Sequence, residues 1–329
     1  MTLSQFIQQA DNFGQKRQPF FFLIDFEQQK PVIFPIDQAE KAGIYFAINQ
    51  QYNANPPISE PKSDFQLERY PMSLSDYQIG FNVVQQELQK GNSYLLNLTY
   101  PTEIKTNFNL AQIFQHTQAR YKLYYRDQFV CFSPECFVKI DNSQITTYPM
   151  KGTINAKLPN AESVLLNDPK EMSEHYTIVD LMRNDLASVA KNIQVKTFRY
   201  VEKIQTANGA ILQTSSEIVG QLDENWQNRI GQILTTLLPA GSISGAPKTK
   251  TVQIIQQAEQ QPRGYYTGIF GLFTGESLDS AVAIRFIEQR QNKYYFRSGG
   301  GITRQSQCKS EYDELLQKVY VPILTPENQ

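Results

Sequence analysis

The sequence predicts a globular protein of the mixed class, in which β-strands are combined with amphipathic α-helices. Of its 329 residues, 40% are hydrophobic and 19% are charged, which is typical of a soluble globular chain. Apolar runs at 20–26 and 31–35 predict two buried strands around a polar turn. Apolar side chains recur at helical spacing between residues 73 and 90. A chain of this length can bury the core of one large domain or of two ordinary ones.

Charge and composition exclude several classes of protein. A net charge of −1 gives no general attraction to nucleic acid or to acidic membranes. Three cysteines without a CxxC pair indicate free thiols, and two histidines argue against a histidine-rich metal site. The first residues lack the apolar core of a signal peptide, and no run approaches the ~20 apolar residues of a membrane span. We therefore expect a cytoplasmic protein that binds neither nucleic acid nor membrane.

The first third of the chain alternates strands, a connection and helices. Residues 51–71 are polar and rich in proline, which predicts a long surface connection. The following helix, Ser73–Lys90, has Ser75 as its expected N-cap. A strand at 93–100 and a helix at 110–120 are predicted next.

Two runs rich in β-branched and aromatic residues predict the arms of a hairpin, Cys136–Ile140 and Gln144–Tyr148. A three-residue loop between them would set Ile140 opposite Gln144. Glu135 and Lys151 would then emerge at the same end of the ladder. There they could act as a proton-transfer partner and a nucleophile. Taken alone, these residues are also explained as a surface lysine and a surface glutamate beside a turn.

Two predicted helices each present a pair of carboxylates on one face. In the first, Asp168 is the expected N-cap, and Glu171 and Glu174 are three residues apart. A capping box would explain Glu171, which makes Glu174 the better candidate for chemistry. Glu311 and Glu314 repeat the spacing in the last predicted helix. With so few histidines, paired carboxylates on two helices indicate a Mg²⁺ site.

Three stretches could hold an anion. The segment 239–248 consists mostly of small residues, carries glycine and ends in a lysine. It resembles the start of a helix that attracts carboxylates, and a capping turn explains it equally well. Arg285 lies in an apolar predicted strand, where its charge needs a partner. The three glycines at 299–301 follow a predicted strand and would let a ligand approach the backbone.

Taken together, these motifs resemble those of the chorismate-utilising enzymes, which include the anthranilate, aminodeoxychorismate, isochorismate and salicylate synthases. The resemblance covers roughly residues 75 to 320 and follows the family's order. It rests on SPE at 133–135, PMKGT at 149–153, SEH through IVDLMRNDL at 173–186, SGAPK ending at Lys248, RGYYTG at 263–268, AIR at 283–285, GGG at 299–301 and EYDE at 311–314.

The resemblance implies an α+β fold and a site for a dianionic substrate. The fold would be a single domain over 1–329, with two packed, mostly antiparallel sheets and outer helices; 1–72 would be a shortened N-terminal part and 73–322 the family core. Mg²⁺ would be held by one glutamate of each pair, Glu174 and Glu314, with Glu171 and Glu311 beside them. Chorismate would be bound by Ser242, Gly245, Lys248, Tyr266, Arg285, Gly299, Gly300, Gly301 and Lys318.

Two positions suggest which reaction is catalysed. Lys151 gives a PIKGT-like motif, which marks the aminodeoxychorismate synthases, whereas anthranilate synthases carry a small residue there. Leu95 stands where isochorismate and salicylate synthases have a water-activating lysine. The resemblance implies that Lys151 attacks C2 of chorismate, that Glu135 protonates the departing C4 hydroxyl, and that ammonia enters at C4. Because the attacking amine must be neutral, we expect the pKa of Lys151 to be lowered.

The sequence also departs from the family. Gln213 stands at the usual histidine position and cannot act as a general acid. No tryptophan-binding LLES-like segment is found, so feedback by tryptophan is not expected. The chain has no glutaminase signature, so ammonia would come from a separate glutamine amidotransferase subunit or from solution. Anthranilate synthase component I, or a non-catalytic relative that binds chorismate-like dianions, remain as alternatives.

Overall fold

The structure of the protein, a computed structural model, describes residues 1–61, 63–206 and 209–323. In these ranges the helices are α1 (Leu3–Gln15), α2 (Leu74–Gln89), α3 (Leu110–His116), α4 (Ala161–Asn167), α5 (Pro169–Ala187), α6 (Ile230–Thr236), α7 (Gly241–Ser244), α8 (Lys248–Glu259) and α9 (Cys308–Gln317). None of them is long and apolar enough to cross a membrane.

The strands are β1 (Phe20–Ile24), β2 (Val32–Pro35), β3 (Ile44–Ile48), β4 (Gln51–Tyr52), β5 (Leu67–Tyr70), β6 (Leu95–Thr106), β7 (Tyr121–Tyr125), β8 (Phe129–Ser133), β9 (Cys136–Asp141), β10 (Gln144–Thr147), β11 (Met150–Asn155), β12 (Lys191–Thr206), β13 (Gly209–Gln221), β14 (Gly245–Ala246), β15 (Ile269–Phe273), β16 (Leu278–Val282), β17 (Phe286–Arg290) and β18 (Lys293–Ile302).

These strands form two nine-stranded antiparallel sheets within the described residues. The first has the order β11-β13-β10-β9-β16-β15-β1-β2, with β12 beside β13. The second has the order β14-β6-β18-β17-β8-β7-β3-β4, with β5 beside β6. Phe21 and Leu272 of the first sheet pack with Phe46 and Phe129 of the second in one buried cluster. The two sheets therefore share a core in a single domain, and the predicted fold class is confirmed.

The helices cover the outer faces of both sheets. The largest apolar cluster joins α1, α2, α5, α6 and α8 to the sheets through residues such as Phe6, Phe81, Ile178, Leu234 and Ile255. A smaller cluster packs α3 and the C-terminal segment on the outside of the second sheet. The site described below lies where α5, α7 and α9 meet β6, β11 and β18.

The register predicted for the hairpin is wrong by one residue. Ile140 lies opposite Ile145, and Asp141 lies opposite Gln144. The loop therefore has two residues, Asn142 and Ser143, which both have positive φ (47° and 59°). Two left-handed residues match the twist of the flanking strands, so this geometry closes a hairpin more tightly than a three-residue loop.

Several predicted boundaries also differ from the structure. The N-cap of α2 is Ser73, whose side chain accepts a hydrogen bond from the N–H of Asp76 at 3.1 Å, and Ser75 lies inside the helix. The strand predicted at 93–100 continues to Thr106, whereas α3 ends at His116. The predicted surface connection carries two short strands at its ends, β4 and β5.

Candidate active site

A cavity of about 550 Å³ opens between the two sheets and helices α5, α7 and α9. Most residues predicted for the site line it, namely Glu135, Lys151, Glu171, Glu174, Ser242, Gly245, Tyr266, Arg285, Gly299, Gly300, Gly301, Glu311, Glu314 and Lys318. They come from distant parts of the chain, so the cavity is a product of the tertiary fold. Its volume suits a small organic ligand.

Four glutamates form one side of the cavity, which we call the acidic wall: Glu171 and Glu174 from α5, and Glu311 and Glu314 from α9. Burial raises the pKa of Glu171, and the charge of Glu174 raises it further. Burial also raises the pKa of Glu311, with Glu314 adding to it. The wall therefore concentrates negative charge in partly desolvated surroundings, which favours a bound cation.

Glu171 is available to the cavity because it does not complete a capping box. Asp168 caps α5 by accepting a hydrogen bond from the backbone N–H of Glu171 at 2.9 Å, as predicted. The reciprocal bond, which the backbone N–H of Asp168 would donate to the Glu171 carboxylate, is absent from the described hydrogen bonds. The sequence-based reason for preferring Glu174 over Glu171 is therefore not supported.

Lys151 lies against the acidic wall. Its Nζ is 2.7 Å from Oε2 of Glu174, and the two side chains are 31% and 13% exposed. Burial alone would lower the pKa of Lys151, but the charges of Glu174, Glu314 and Glu171 outweigh it, so the pKa is raised. The prediction of a lowered pKa is wrong for the chain by itself, because α9 and α5 bring carboxylates to the amine.

The backbone of Lys151 is held from behind by a buried histidine. His175 is fully buried, and its Nδ1 lies 3.3 Å from the carbonyl oxygen of Lys151, while Nε2 lies 2.7 Å from Oγ of Ser216. A carbonyl can only accept, so Nδ1 carries the proton and Nε2 accepts from the serine. Thr214 donates a second hydrogen bond to the same carbonyl. Burial lowers the pKa of His175 to about 4, so the histidine is a neutral tether.

Glu135 occupies a different part of the cavity, in the turn between β8 and β9. Ser242 of α7 donates a hydrogen bond to its carboxylate. Burial raises the pKa of Glu135, although Ser242 and Arg285 act in the opposite direction. A carboxyl group with a raised pKa can hold a proton closer to neutral pH, which a general acid requires. Glu135 and Lys151 thus line one cavity, as predicted. In the described ion pairs, the amine of Lys151 is bound to Glu174.

Arg285 lines the cavity from a bend and does not lie inside a strand. It separates β16 from β17 and has a φ of 51°. Its guanidinium lies over the ring of Tyr320, 5.1 Å from the centroid. Among the described ion pairs none involves Arg285. Its charge is therefore available to an anionic ligand.

The glycine triplet, Gly299–Gly301, and Lys318 lie where the two sides of the cavity meet, and we call this place the seam. Gly299–Gly301 belong to β18 itself and pair with β6, with Gly299 opposite Thr99, so they do not form a loop after the strand. Lys318 donates to the carbonyl of Gly299 at 2.8 Å and pairs with Glu314 at 2.6 Å. An added Cβ at Gly300 would lie 3.3 Å from Oε1 of Glu314. Glycine therefore keeps this stretch open beside the glutamates.

Lys248 does not take part in the cavity, contrary to the prediction. Its Nζ donates to the carbonyl of Leu237 at 2.7 Å and pairs with Asp185 at 3.0 Å. The SGAPK segment is not one helix start either, because Gly241–Ser244 forms α7, Gly245 and Ala246 pair with β6, and α8 begins only at Lys248. Ser242 and Gly245 reach the cavity from this turn, whereas Lys248 links α5 to α8.

Two buried residues at the site have no role predicted from the sequence. His175 belongs to the SEH motif, and Arg297 lies in β18 shortly before the glycine triplet. Alternation along β18 does not predict the burial of Arg297, because its neighbour Phe296, on the opposite face of the strand, is fully buried as well. Gln213, which replaces the usual histidine, lines the cavity as well.

The acidic wall fits Mg²⁺ in the type of its donors. Carboxylate oxygens from two helices, all facing one cavity, are the ligands that this hard cation prefers. Among the described residues, however, no three acidic, histidine or cysteine side chains are already grouped around one point. The ammonium of Lys151 instead supplies the positive charge beside Glu174.

Comparison with known proteins agrees with this geometry. The model of the chorismate binding enzyme family matches residues 33–323. An uncharacterized PabA-like protein of Pasteurella multocida is 69% identical over 323 residues, which cover 98% of this chain and 100% of that protein. Aminodeoxychorismate synthase component 1 of Escherichia coli is 32% identical over 281 residues, covering 79% of this chain and 60% of that relative.

A solved structure supports the fold independently. The menaquinone-specific isochorismate synthase of Escherichia coli superposes with a TM-score of 0.72 at 15% identity, covering 96% of this chain and 80% of that one. At this identity the likeness concerns the fold alone. The match of the family model over most of the sequence carries the assignment, and the chain belongs to the chorismate binding enzyme family.

Proposed function

We propose that this chain converts chorismate and ammonia to 4-amino-4-deoxychorismate, as the chorismate-converting component of an aminodeoxychorismate synthase. The observation that carries the proposal is the position of Lys151, a lysine in a PMKGT motif whose amine faces a cavity that also holds Glu135. Identity alone does not choose the reaction, because an aminodeoxychorismate synthase component 1 is 32% identical and an anthranilate synthase component 1 is 31% identical to this chain, so the choice rests on Lys151. A separate lyase would then complete p-aminobenzoate for folate.

The first step of the proposed reaction uses Lys151 as a nucleophile. Its ammonium group transfers one proton to the carboxylate of Glu174, and the resulting neutral amine forms a bond to C2 of chorismate. The ring double bonds shift from C1=C2 and C5=C6 to C1=C6 and C4=C5, and the C4–O bond breaks. Glu135 gives its proton to the departing hydroxyl, which leaves as water.

The second step reverses the shift of double bonds. Ammonia forms a bond to C4, the ring double bonds return to their original positions, and the bond between C2 and Lys151 breaks. The new ammonium group at C4 returns one proton to Glu135. The enolpyruvyl group stays on the ring throughout, so the product is not aromatic.

Mg²⁺ bound by the acidic wall would supply positive charge for a substrate carboxylate and would assist departure of the hydroxyl. The second carboxylate of the substrate would face Arg285, Tyr266 and the backbone of the glycine triplet. Burial raises the pKa of Tyr266 to about 12, so its hydroxyl remains a hydrogen-bond donor at neutral pH. A chain with a net charge of −1 can thus bind a dianion through local charges.

Ammonia, and not water, is the proposed incoming group at C4. Leu95, at the place of the water-activating lysine in the isochorismate and salicylate synthases, lines the cavity with an apolar side chain. A leucine cannot remove a proton from water. We propose that a separate glutamine amidotransferase subunit delivers the ammonia. The purified chain should therefore use ammonium salts at raised pH as its nitrogen source, and it should not use glutamine.

One assay tests the function. The purified chain is incubated with chorismate, Mg²⁺ and ammonium, and the products are separated by chromatography. We expect 4-amino-4-deoxychorismate. Formation of anthranilate and pyruvate would support the anthranilate synthase alternative, and binding of chorismate without any turnover would support a non-catalytic relative. Without ammonia, intact-protein mass spectrometry should show an adduct on the peptide that contains Lys151, and its absence from a Lys151→Ala variant is the control.

A further inference from the structure

Lys151 lies where the regular pairing of its strand is interrupted. Met150 of β11 lies opposite Ser215 of β13. Three residues further along β11, Thr153 lies opposite Gln213, which is only two residues away on β13. Lys151 and the glycine after it therefore form a β-bulge without partner residues in the register. A bulge bends its strand and changes the direction in which a side chain points, and bulges are common beside active sites.

The glycine of this bulge, Gly152, meets a conformational and a steric requirement. Its φ is 93°, in the region that favours glycine. An added Cβ would lie 3.1 Å from Oε2 of Glu171 and 3.2 Å from Oγ1 of Thr214. The bulge thus brings the backbone beside Lys151 close to the acidic wall on one helix and to a buried side chain of β13.

Two side chains bind the carbonyl of Lys151 at this interruption. Thr214 of β13 donates a hydrogen bond to the carbonyl oxygen, and Nδ1 of His175 donates a second one at 3.3 Å. Both side chains are fully buried, so bulk water does not compete with them. A carbonyl oxygen has two lone pairs, which these two donors satisfy. We call Thr214 and His175 the carbonyl clamp.

Ser216 holds the histidine of the carbonyl clamp in its orientation. Its backbone N–H donates to the carbonyl of Pro149 at 3.0 Å, which joins β13 to the residue before β11. Its Oγ accepts from the backbone N–H of Arg199 at 2.9 Å and lies 2.7 Å from Nε2 of His175. The hydroxyl proton is thereby directed to Nε2, which leaves the Nδ1 proton for the carbonyl of Lys151.

The carbonyl clamp also connects the nucleophile to the acidic wall. His175 follows Glu174 directly in α5 and contacts the backbone of Lys151. Nζ of Lys151 lies 2.7 Å from Oε2 of Glu174. One helix turn therefore contacts both ends of the same lysine, its carbonyl and its amine, which fixes the side chain between them.

We propose that Thr214 and His175 are positioning residues, which hold the carbonyl of Lys151, maintain the bulge in β11 and keep the amine directed into the cavity for its attack on C2. The attack on C2 rests on the proposed function, whereas the orientation of the amine does not. Neither side chain is among those that line the cavity, so both act through Lys151. A reacting group that moves by about 1 Å can lose about 10²-fold in rate.

The first test compares Thr214→Val with Thr147→Val. Valine keeps the branched shape of threonine and removes the hydroxyl group. Thr147 is the matched control, because it is equally buried in the same sheet and donates to the carbonyl of Phe137 at 2.9 Å. We expect Thr214→Val to lower kcat and the rate of lysine adduct formation by about 10–100-fold. Its chorismate affinity in equilibrium dialysis, and both rates in Thr147→Val, should change less than about twofold.

The second test compares two replacements of His175. Asparagine places an amide nitrogen where Nδ1 lies, whereas glutamine carries its amide one bond further, where Nε2 lies. His175→Asn should therefore retain most of kcat, and His175→Gln should lose as much as Thr214→Val. Thermal unfolding of all variants is measured alongside. Losses of kcat that follow the fall in unfolding temperature in both His175 variants would mean that the histidine only fills the core, which overturns its positioning role.

A third readout needs no substrate. Reductive methylation with formaldehyde and cyanoborohydride, followed by mass spectrometry of the peptides, reports how fast each lysine reacts in the ligand-free chain. We expect Lys151 to react several-fold faster in Thr214→Val than in wild type, because its amine leaves the contact with Glu174. Lys191, whose side chain is 79% exposed, is the internal reference and should react at an unchanged rate.

These readouts separate the two proposals. If wild type forms neither adduct nor product, the proposed function fails, and the methylation rate of Lys151 still decides whether the carbonyl clamp orients the amine. If wild type makes 4-amino-4-deoxychorismate and Thr214→Val matches Thr147→Val in kcat and in methylation of Lys151, only the carbonyl clamp is overturned.

Discussion

The two sides of the cavity are built in opposite ways. The acidic wall takes its charges from two helices, and its carboxylates are already paired with cations, as Glu174 is with Lys151 and Glu314 with Lys318. The other side presents Arg285, from the bend before β17, which takes part in none of the described ion pairs and lies over the ring of Tyr320. The cavity thus combines ion-paired glutamates with a guanidinium that no carboxylate of the described residues pairs.

This difference indicates how the site selects and orients a ligand. A helix can place two carboxylates side by side because residues three apart share a face, so the acidic wall is dense and needs cations of its own. The opposite side offers a single guanidinium, that of Arg285, because only this cation is presented by the bend between β16 and β17. A dianion bound with Mg²⁺ would have one carboxylate at each side, and its ring would be held between Lys151 and Glu135.

The largest expected effect comes from replacing Lys151, whose ammonium group is paired with Glu174 of the acidic wall. Lys151→Ala should reduce turnover by several powers of ten, about 10³–10⁶-fold as for other covalent nucleophiles. Chorismate binding should survive, because the opposite side of the cavity is unchanged. Steady-state kinetics and equilibrium dialysis separate the two quantities. Any residual product should shift towards 2-amino-2-deoxyisochorismate, since ammonia could attack C2 directly.

Lys170 is the matched control for this variant. Its Nζ is 3.9 Å from the other carboxylate oxygen of Glu174, and its side chain is 63% exposed, so Lys170→Ala should retain nearly normal turnover. A Lys151→Ala variant that makes 4-amino-4-deoxychorismate at the wild-type rate would show that Lys151 is only a structural residue of the turn.

The acidic wall itself gives the next largest effect. Glu174→Ala and Glu314→Ala should each lower the affinity for Mg²⁺ by more than about 10–100-fold, the range for losing a group that only supports a metal ligand. Each should remain folded, because neither side chain contributes apolar packing. Titration with Mn²⁺ followed by electron paramagnetic resonance measures the affinity directly. Glu276→Ala, at a carboxylate that is 84% exposed, serves as the control, and normal metal affinity in both cavity variants would contradict the assignment.

A smaller effect, on the stability of the fold, is expected from the titration of His175, which contacts the backbone carbonyl of Lys151. Because burial lowers the pKa of His175 from 6.5 to about 4, the unfolded chain binds its proton more tightly than the folded chain does. The stability that neutral His175 contributes is complete above pH 6.5 and is lost as the pH falls towards 4. The loss should reach about 3 kcal/mol at most, at about 1.4 kcal/mol per pH unit.

Urea unfolding between pH 4 and 7 measures this dependence. A His175→Asn variant keeps hydrogen-bonding atoms near Lys151 and Ser216 but cannot titrate in this range, so its stability should fall less as the pH decreases. Parallel stability curves for wild type and variant would mean that His175 is not a buried neutral tether.

The smallest effect lies at the seam between the two sides. Gly300→Ala would bring a Cβ to 3.3 Å from the Glu314 carboxylate and 3.5 Å from that of Glu311. Both are ends of flexible side chains, so the free energy of unfolding should change by less than about 1 kcal/mol, while Mg²⁺ affinity falls slightly. Gly299→Ala is the contrast, because its Cβ would lie 2.3 Å from the backbone oxygen of Leu98. Equal unfolding free energies for the two variants would contradict this picture of the seam.

The sequence by itself determined the elements and most members of the site. The spacing of Glu171 with Glu174 and of Glu311 with Glu314 predicts shared helix faces, because a helix repeats every 3.6 residues. Buried strands such as β1 were predicted because their apolar runs are continuous and bounded by turn residues. The ordered motifs pointed to a family and, through it, to the two packed sheets. Such signals are local, and local geometry follows from the residues themselves.

Only the tertiary structure decided the register of the hairpin, the partner of Lys248 and the environment of two cationic side chains. Loops of two and three residues both suit the turn at Asn142 and Ser143, and the positive φ of both residues selects the shorter one. Lys248 is held by Asp185, which the chain order does not reveal. Carboxylates from α5 and α9 raise the pKa of Lys151, and the buried guanidinium of Arg297 lies over the ring of Tyr266, which comes from another part of the chain. Burial and electrostatic fields are sums over the folded chain, so they exist only after the distant segments have come together.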